Sequence, residues 1–359
     1  MTTGFKKPEI RLGGRIIGSD ADVFVIAEIG INHNGSVEEA AKLIDAAADC
    51  GADAVKFQSF RVDRLLICSR DRYAQQSGEE TAYDLLRRCE LSFDGQEKLK
   101  AHADKRGIMF LSTPFDYESA DFLDRLGVPA FKIASGDITY IPFLDHIAAK
   151  RKPVFLSTGM SYIDEVTEAV RRLREGGSPG IIPMHCTSSY PASSHDMNLR
   201  ALETLQSYFG LPTGLSDHSS GILFSIAAAA MGAAAIERHF TLDRAAEGPD
   251  HKASLDPGGL KELVENLRRL KAGMGSREKC PAESEMDGRR LGRRSVVAAT
   301  DIQAGEQIVP DMLTCKRPGI GITPKYLNQV AGMKSRRFIA KDTLIAWEDL
   351  YPSAREAAE

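Results

Sequence analysis

The sequence predicts an α/β protein whose main domain is a (β/α)8 barrel, the TIM-barrel fold. Eight apolar runs rich in strand-forming residues alternate with amphipathic helical stretches over residues 23–271. The runs are apolar along their whole length, which is typical of parallel strands covered by helices. An open, doubly wound sheet is the alternative. It is less favoured because no G-x-G-x-x-G motif follows the first run.

The individual elements follow from composition and periodicity. The predicted strands occupy 23–30, 54–60, 108–115, 130–135, 153–159, 180–191, 211–219 and 235–242, after a short hairpin within 10–20. The clearest helices cover 36–50, 164–175, 196–208 and 257–271. Ser36 and Glu39 have the spacing of a capping box at the start of the first helix. The long connection 61–91 predicts a lid over the mouth of the barrel.

Beyond the barrel, the composition and the hydrophobic periodicity of the sequence change. We predict a catalytic barrel over 1–272, a linker rich in Gly, Pro and charge over 273–292, and a small domain of short strands and turns over 293–359. The arginine pairs at 289–290 and 293–294 indicate either a phosphate-binding patch or, more often for such pairs, a solvated boundary. The last domain has a limited core, so docking onto a partner would help to stabilise it.

Composition excludes several classes of protein. The 46 Lys and Arg against 50 Asp and Glu give a net charge of −4, without the basic excess of a nucleic-acid binder. No apolar run reaches the ~20 residues that a membrane span needs. Six scattered cysteines without a C-x-x-C pair, and the lack of a signal-peptide pattern, predict a cytoplasmic protein with reduced thiols.

Polar residues follow every predicted strand at the same end, where barrel enzymes carry their active sites. The candidates at these ends include Glu28, Lys56, Gln58, Thr113, Lys132, Ser135, Asp137, Ser188, Tyr190, Ser216, His218, Glu237 and His239. A barrel without a site would not need polar groups at the end of each strand. The pattern therefore predicts a functional cleft at the mouth of the barrel.

Two lysines stand inside apolar strands. Lys56 and Lys132 should have an anion beside them, because an unpaired buried ammonium group is costly. With the nearby hydroxyl groups they suit a phosphate or carboxylate ligand. Solvated lysines at strand ends are the alternative for either residue taken alone.

The residues with acid–base and metal-binding chemistry lie on the first strand and on the last two. His218 and His239 follow neighbouring strands and can bind one divalent metal ion, although each alone would be read as a structural histidine. Glu28 lies in an apolar run, where burial raises a carboxyl pKa and suits proton transfer. Asp250, after a Gly-Pro turn, is either a second acid–base group or a turn residue.

A set of motifs in order along the chain resembles the sialic acid synthase family. They are AEIGINHNG at 27–35, VKFQ at 55–58, LSTPF at 111–115, KIASG at 132–136, LSTGM at 156–160, GLSDH at 214–218, ERHF at 237–240, GPD at 248–250 and KRPG at 316–319. The resemblance implies a transferase that condenses phosphoenolpyruvate with an N-acetylmannosamine-type sugar, followed by an antifreeze-like (SAF, β-clip) domain.

The resemblance also implies roles for individual residues. Lys56, Thr113, Lys132, Ser135, Ser188 and Ser216 would hold phosphoenolpyruvate, while Gln58, Asp137, Tyr190 and Arg317 would contact the sugar, with Glu28 and Asp250 as catalytic groups. His218 and His239 would bind Mn²⁺, with Mg²⁺ or Co²⁺ as alternatives. Arg317 would reach the sugar from the other subunit of a domain-swapped homodimer.

Three departures from the neuraminate-type pattern concern the acceptor sugar. Ser188 stands where those enzymes have Asn, and Asp137 where they have Glu. The segment HKASL at 251–255 is similar to the legionaminate and spore-coat branches of the family. We therefore favour 2,4-diacetamido-2,4,6-trideoxymannose over N-acetylmannosamine as the acceptor, giving a legionaminic-type nine-carbon acid and phosphate.

Two other functions are less favoured by the sequence. A metal-dependent barrel hydrolase would assemble further His or Asp ligands. The predicted cleft instead carries two lysines, which would repel an additional cation. A non-enzymatic sugar-binding or ice-binding protein is the second alternative. An ice-binding face should be uncharged, but the last domain is basic.

Overall fold

The computed structural model describes residues 8–18, 20–67 and 81–351. The chain divides into two compact units, Met1–Gly275 and Ser276–Glu359. The predicted linker 273–292 includes the boundary between the units and a short helix in the second of them. Within the described residues, no helix is long and apolar enough to cross a membrane.

The first unit contains ten strands and ten helices among its described residues. The strands are β1 Glu9–Leu12, β2 Arg15–Gly18, β3 Phe24–Gly30, β4 Ala54–Ser59, β5 Met109–Pro114, β6 Phe131–Ile133, β7 Val154–Ser157, β8 Ile181–Cys186, β9 Gly214–Asp217 and β10 Ala235–His239. The helices are α1 Val37–Asp49, α2 Val62–Leu65, α3 Ala82–Cys89, α4 Phe93–Arg106, α5 Tyr117–Leu126, α6 Ile141–Ala148, α7 Ile163–Glu175, α8 Ala201–Phe209, α9 Leu223–Ala230 and α10 Pro257–Met274.

Strands β3 to β10 form one parallel sheet of eight strands in the order β5-β4-β3-β10-β9-β8-β7-β6. The first and last strands along the chain, β3 and β10, pair in parallel, with Glu28 opposite His239. The two end strands β5 and β6 also contact each other, so the sheet is a nearly closed barrel surrounded by helices. The predicted (β/α)8 fold is confirmed, and the open-sheet alternative is wrong.

The half of the barrel interior nearer the N-terminal ends of the strands is apolar. Phe24, Ile26, Phe155 and Met184 pack there with residues of the β1–β2 hairpin, which was also predicted. Side chains two residues apart on a strand project to the same face. The polar residue that follows Ile26 at this spacing, Glu28, therefore enters the same interior nearer the C-terminal end.

Two details of the predicted helices differ in the structure. Ser36 caps α1 by accepting the Glu39 N–H, but the Glu39 carboxylate pairs with Lys42 instead of completing a capping box. Helix α8 begins at Ala201 and not at 196, because Asn198 has a φ of 37°, a left-handed value that an α-helix cannot contain.

The predicted lid falls partly outside the described residues. Of the connection 61–91, the structure describes 61–67 and 81–91, which hold α2 and α3. Ile31, Phe60, Leu85 and Cys89 form a small apolar cluster that ties α3 to the ends of β3 and β4.

The second unit has its own small core. It contains α11 Met286–Gly292, β11 Ser295–Ala298, β12 Leu313–Lys316, α12 Leu327–Val330, β13 Lys334–Ser335 and β14 Leu350–Tyr351. Its buried cluster consists of Val296, Ala298, Ile302, Ile308, Leu313, Ile322, Val330, Met333, Ile339, Ile345 and Leu350. The paired strands are short, as the sequence predicted.

Candidate active site

A cluster of two lysines and two glutamates lies inside the barrel above the apolar layer. Lys56 Nζ is 2.8 Å from Glu28 Oε2 and 3.9 Å from Glu237 Oε2. Lys132 Nζ is 3.0 Å from Glu237 Oε1. All four residues are at most 4% exposed. The anion expected beside the two lysines is therefore supplied by the protein itself.

Burial and charge shift the two carboxyl groups in opposite directions. Burial raises the pKa of Glu28, and this effect outweighs the opposing attraction of Lys56. Burial also acts on Glu237, but the two lysines beside it outweigh that effect and hold its pKa at about 2. The cluster thus combines one firmly ionised carboxylate with one that takes up a proton more readily, as the apolar setting of Glu28 predicted.

Neighbouring polar side chains are hydrogen-bonded to this cluster. Lys56 Nζ donates to Thr113 Oγ1 at 3.0 Å, and Ser216 Oγ donates to Glu237 Oε1 at 2.9 Å. Gln58 Nε2 donates to Glu28 Oε1 at 3.2 Å. The remaining oxygen of Glu237, Oε2, is buried without a hydrogen-bond partner. It can accept a bond from a donor that enters the site.

The two predicted metal-binding histidines lie beside each other on β10 and just after β9. The centroids of the His218 and His239 rings are 5.3 Å apart. His218 Nδ1 is 2.9 Å from the Thr187 carbonyl oxygen, so Nδ1 carries the proton and Nε2 keeps its lone pair. Burial, followed by the charge of His239, lowers the pKa of His218 to about 4. His218 is therefore a neutral imidazole at pH 7, the form that binds metals.

Asp250 and Tyr190 border the histidine pair. Asp250 Oδ2 is 3.4 Å from Nδ1 of the buried His239. The ring centroid of Tyr190 is 4.1 Å from that of His218 and 5.6 Å from that of His239. A Cβ added at Gly30 would lie 3.6 Å from Asp250 Oδ2 and 3.3 Å from Glu28 Oε1, so these carboxyl groups face the same space.

The loop that carries Asp250 is held by the loop after β3. Asn32 Nδ2 donates to Ser254 Oγ at 2.9 Å, and Ser254 Oγ donates to the Asp250 carbonyl oxygen at 2.7 Å. Asn34 Nδ2 donates to the Glu247 carbonyl oxygen at 3.1 Å. These contacts hold the loop in which Asp250 faces His239.

Ser135 and Ser188 converge on Gly159. The Gly159 N–H donates to Ser135 Oγ at 3.1 Å. A Cβ at Gly159 would lie 2.8 Å from Ser135 Oγ and would overlap Ser188 Oγ. The glycine, which follows β7, thus leaves room for two hydroxyl groups that follow the strands on either side of it, β6 and β8.

Asp137, in the turn after β6, is the remaining predicted residue of the barrel. Burial raises the pKa of its carboxyl group to about 6, and Oδ2 is buried without a partner.

The predicted site residues of the barrel thus lie at the C-terminal ends of its strands or in the loops that follow. Arg317 belongs to the second unit, where it is exposed directly after β12. The sequence places Glu237 at a strand end but does not indicate its contacts with both lysines. Its position two residues from His239, on the inward face of β10, was the signal that could have identified it.

The donor set fits a divalent metal ion. Two imidazoles lie side by side with a carboxylate next to them, and His218 keeps the lone pair of Nε2. Over the described ranges, no three His, Cys, Asp or Glu side chains converge as a ready metal-binding group. An ion held by this pair would complete its coordination from substrate or water.

Both units of the chain are similar to known protein families. The model of the NeuB family matches residues 43–279, and that of the SAF domain matches residues 293–350. The N,N'-diacetyllegionaminic acid synthase of Legionella pneumophila is 42% identical over 93% of this chain and 96% of its own. The Campylobacter jejuni enzyme of the same name is 42% identical over 89% and 98%.

A solved structure is also similar to this chain in fold and in sequence. The crystal structure of N-acetylneuraminic acid synthetase from Leptospira borgpetersenii matches with a TM-score of 0.71 and 37% identity, covering 79% of this chain and 95% of that one.

Proposed function

Because the chain belongs to the NeuB family and carries a SAF domain, we propose that it condenses phosphoenolpyruvate with an N-acetylated amino sugar to give a nonulosonic acid and phosphate. The chain is an enzyme, a synthase of the transferase class. The non-enzymatic alternative is therefore set aside. The observation that carries the proposal is the buried lysine–glutamate cluster beside the histidine pair inside the barrel.

The cluster supports binding of phosphoenolpyruvate through its balance of charge. With both carboxyl groups ionised, the two ammonium groups are fully compensated and the cluster is neutral. With a proton on Glu28, whose pKa burial raises, the cluster carries one positive charge. Lys56 and Lys132 would then bind the phosphate and carboxylate groups, assisted by Thr113, Ser216, Ser135 and Ser188.

In the proposed reaction, C3 of phosphoenolpyruvate forms a bond to the aldehyde carbon of the open-chain sugar. Water then adds at C2, and phosphate leaves by cleavage of the C–O bond. Glu28 would hold or release a proton beside the reacting carbons, and Asp250, Gln58 and Tyr190 would orient the sugar. If Glu28→Gln turned over at a near-normal rate with an intact fold, this role of Glu28 would be wrong.

We propose Mn²⁺ as the metal, held by His218 and His239, with Mg²⁺ and Co²⁺ as alternatives to be compared. A divalent ion there would supply Lewis-acid stabilisation of the negative charge that develops on the sugar oxygen. The chain's contribution is to keep His218 neutral through burial and the neighbouring charge of His239, while the hydrogen bond from Nδ1 to Thr187 fixes the tautomer.

For the acceptor, we propose 2,4-diacetamido-2,4,6-trideoxymannose. Support comes from the two legionaminic acid synthases and from Ser188 and Asp137, which depart from the neuraminate-type residues. The test is phosphate release from phosphoenolpyruvate with Mn²⁺, comparing this sugar with N-acetylmannosamine. We expect faster release with the diacetamido sugar and loss of activity with a chelator. Faster release with N-acetylmannosamine would refute the choice of acceptor, and no release with either sugar would refute the proposal.

We further propose that Arg317 acts in the site of the other subunit of a swapped homodimer. Arg317→Ala and His218→Ala should each be inactive. A mixture of the two should regain activity, because some mixed dimers would contain one intact site. If the mixture stays inactive although subunits exchange, Arg317 does not act across the dimer.

A further inference from the structure

A buried ion pair lies on the outer face of the barrel wall, one residue before each of the two histidines. Arg238 Nη1 is 2.6 Å from Asp217 Oδ2, and the two side chains are 1% and 0% exposed. Arg238 and Asp217 are direct partners in the pairing of β10 with β9. Because successive side chains on a strand alternate between its faces, the next residues, His239 and His218, project into the barrel.

The same pair fixes the backbone on the far side of His218. Asp217 Oδ1 accepts the Ser219 N–H at 2.8 Å, and Arg238 Nη2 donates to the Ser219 carbonyl oxygen at 2.7 Å. Ser225 Oγ donates to Asp217 Oδ2 at 2.5 Å. His218 therefore lies between two residues that are both held by the ion pair.

The loop after β8 further restricts the backbone and the ring of His218. Its carbonyl oxygen accepts the Ala192 N–H at 3.0 Å, and its ring is held by the Thr187 carbonyl. His239 Nδ1 faces Asp250 Oδ2 at 3.4 Å, a longer contact than the one that holds the ring of His218. The backbone of His239 is set by its strand, in which Arg238 is the preceding residue.

A contribution to stability does not by itself explain why this buried ion pair is present. Replacing a buried ion pair with uncharged residues of similar volume is often neutral for stability or even favourable. The pair joins the two segments that carry the imidazoles, so it can fix their relative position. We propose that Asp217 and Arg238 are positioning residues that set the separation of His218 and His239 and thereby the affinity for a divalent metal ion. This inference rests on the metal site of the proposed function.

The test removes both charges together. A single substitution would leave a buried charge unpaired and is expected to be strongly destabilising. The double variant Asp217→Asn/Arg238→Met avoids this. Mn²⁺ binding to full-length protein freed of metal would be measured by the loss of the free-ion signal in electron paramagnetic resonance, with circular dichroism as the check on folding. We expect at least about a tenfold rise in the dissociation constant, the usual effect of losing a group that orients a ligand.

The first unit offers a control ion pair at the other end of the barrel, which is partly exposed. Arg15 Nη2 is 2.6 Å from Asp53 Oδ1, near the hairpin. The variant Arg15→Gln/Asp53→Asn also removes one ion pair, and it should bind Mn²⁺ as the wild type does. A folded Asp217→Asn/Arg238→Met variant with unchanged affinity would overturn the inference alone. Equal weakening in both double variants would also overturn it, because the effect would then be one of general stability. If the wild type bound no divalent ion, the proposed metal site would be wrong, and the inference that depends on it would be refuted as well.

Discussion

Replacing Asp137 by asparagine should stabilise the protein at neutral pH while weakening its function. Asp137 is mostly buried, its Oδ2 has no hydrogen-bond partner, and burial is the sole cause that raises its pKa to about 6. A carboxylate held in this way favours folding only when it is protonated. It is nevertheless suited to accept a hydrogen bond from a ligand, so a cost in stability would be exchanged for binding.

The magnitude follows from the linkage between protonation and folding. The folded protein binds this proton more tightly than the unfolded chain, whose reference pKa is 3.8. The favourable contribution is therefore present below pH 3.8 and is lost as the pH rises through about 6. The shift of just over two pKa units costs up to about 3 kcal/mol at pH 8, and about 2 kcal/mol of this develops between pH 4.5 and pH 8.

The assay is urea unfolding of wild type and Asp137→Asn at both pH values. Other titrating groups are common to both proteins and cancel in the difference. The advantage of the variant should grow by about 2 kcal/mol from pH 4.5 to pH 8, while its KM for the acceptor sugar rises. Asp164→Asn, at an exposed position of α7, serves as the control and should show no such growth. A difference in stability that does not change with pH would refute the reasoning.

Three further predictions concern the interior of the barrel and its rim. Glu237→Gln leaves two buried ammonium groups with one carboxylate, so the free energy of unfolding should fall by about 3–5 kcal/mol; a change below 1 kcal/mol in a denaturation curve would contradict the central role of Glu237. Gly159→Ala would displace the Ser188 hydroxyl group, and we expect the KM for phosphoenolpyruvate to rise about tenfold, the value of one hydrogen bond to a charged group. An unchanged KM would mean that this hydroxyl group is not a ligand. Burial lowers the pKa of His33 to about 4, so the unfolded chain takes up a proton first as the pH falls below 6.5 and stability declines from there to about pH 4. In His33→Gln this decline should be smaller by about 2 kcal/mol between pH 7 and pH 4.5, as denaturation at these two pH values would show, whereas equal slopes would exclude His33 as its source.

The position of the site could be predicted well from sequence, but its electrostatics could not. Period-two alternation and the rule that barrel sites lie at strand ends locate Lys56, Lys132, His218 and His239 correctly. The counter-ions of the lysines could not be read from one strand, because Glu28, Lys56 and Glu237 come from three different strands. Only closure of the barrel brings β10 beside β3 and Glu237 within reach of both lysines.

Sequence patterns alone predict the class of fold, the number and order of the barrel strands and the end at which the polar residues gather. These properties are local, since they depend on hydrophobic periodicity and on residues close together in the chain. The tertiary structure decided which charges meet, which carboxyl group is easily protonated, where α8 begins and how Asp217 and Arg238 flank the histidines. These properties depend on distances between residues far apart in the chain and on the loss of water around them, and no linear pattern contains either quantity.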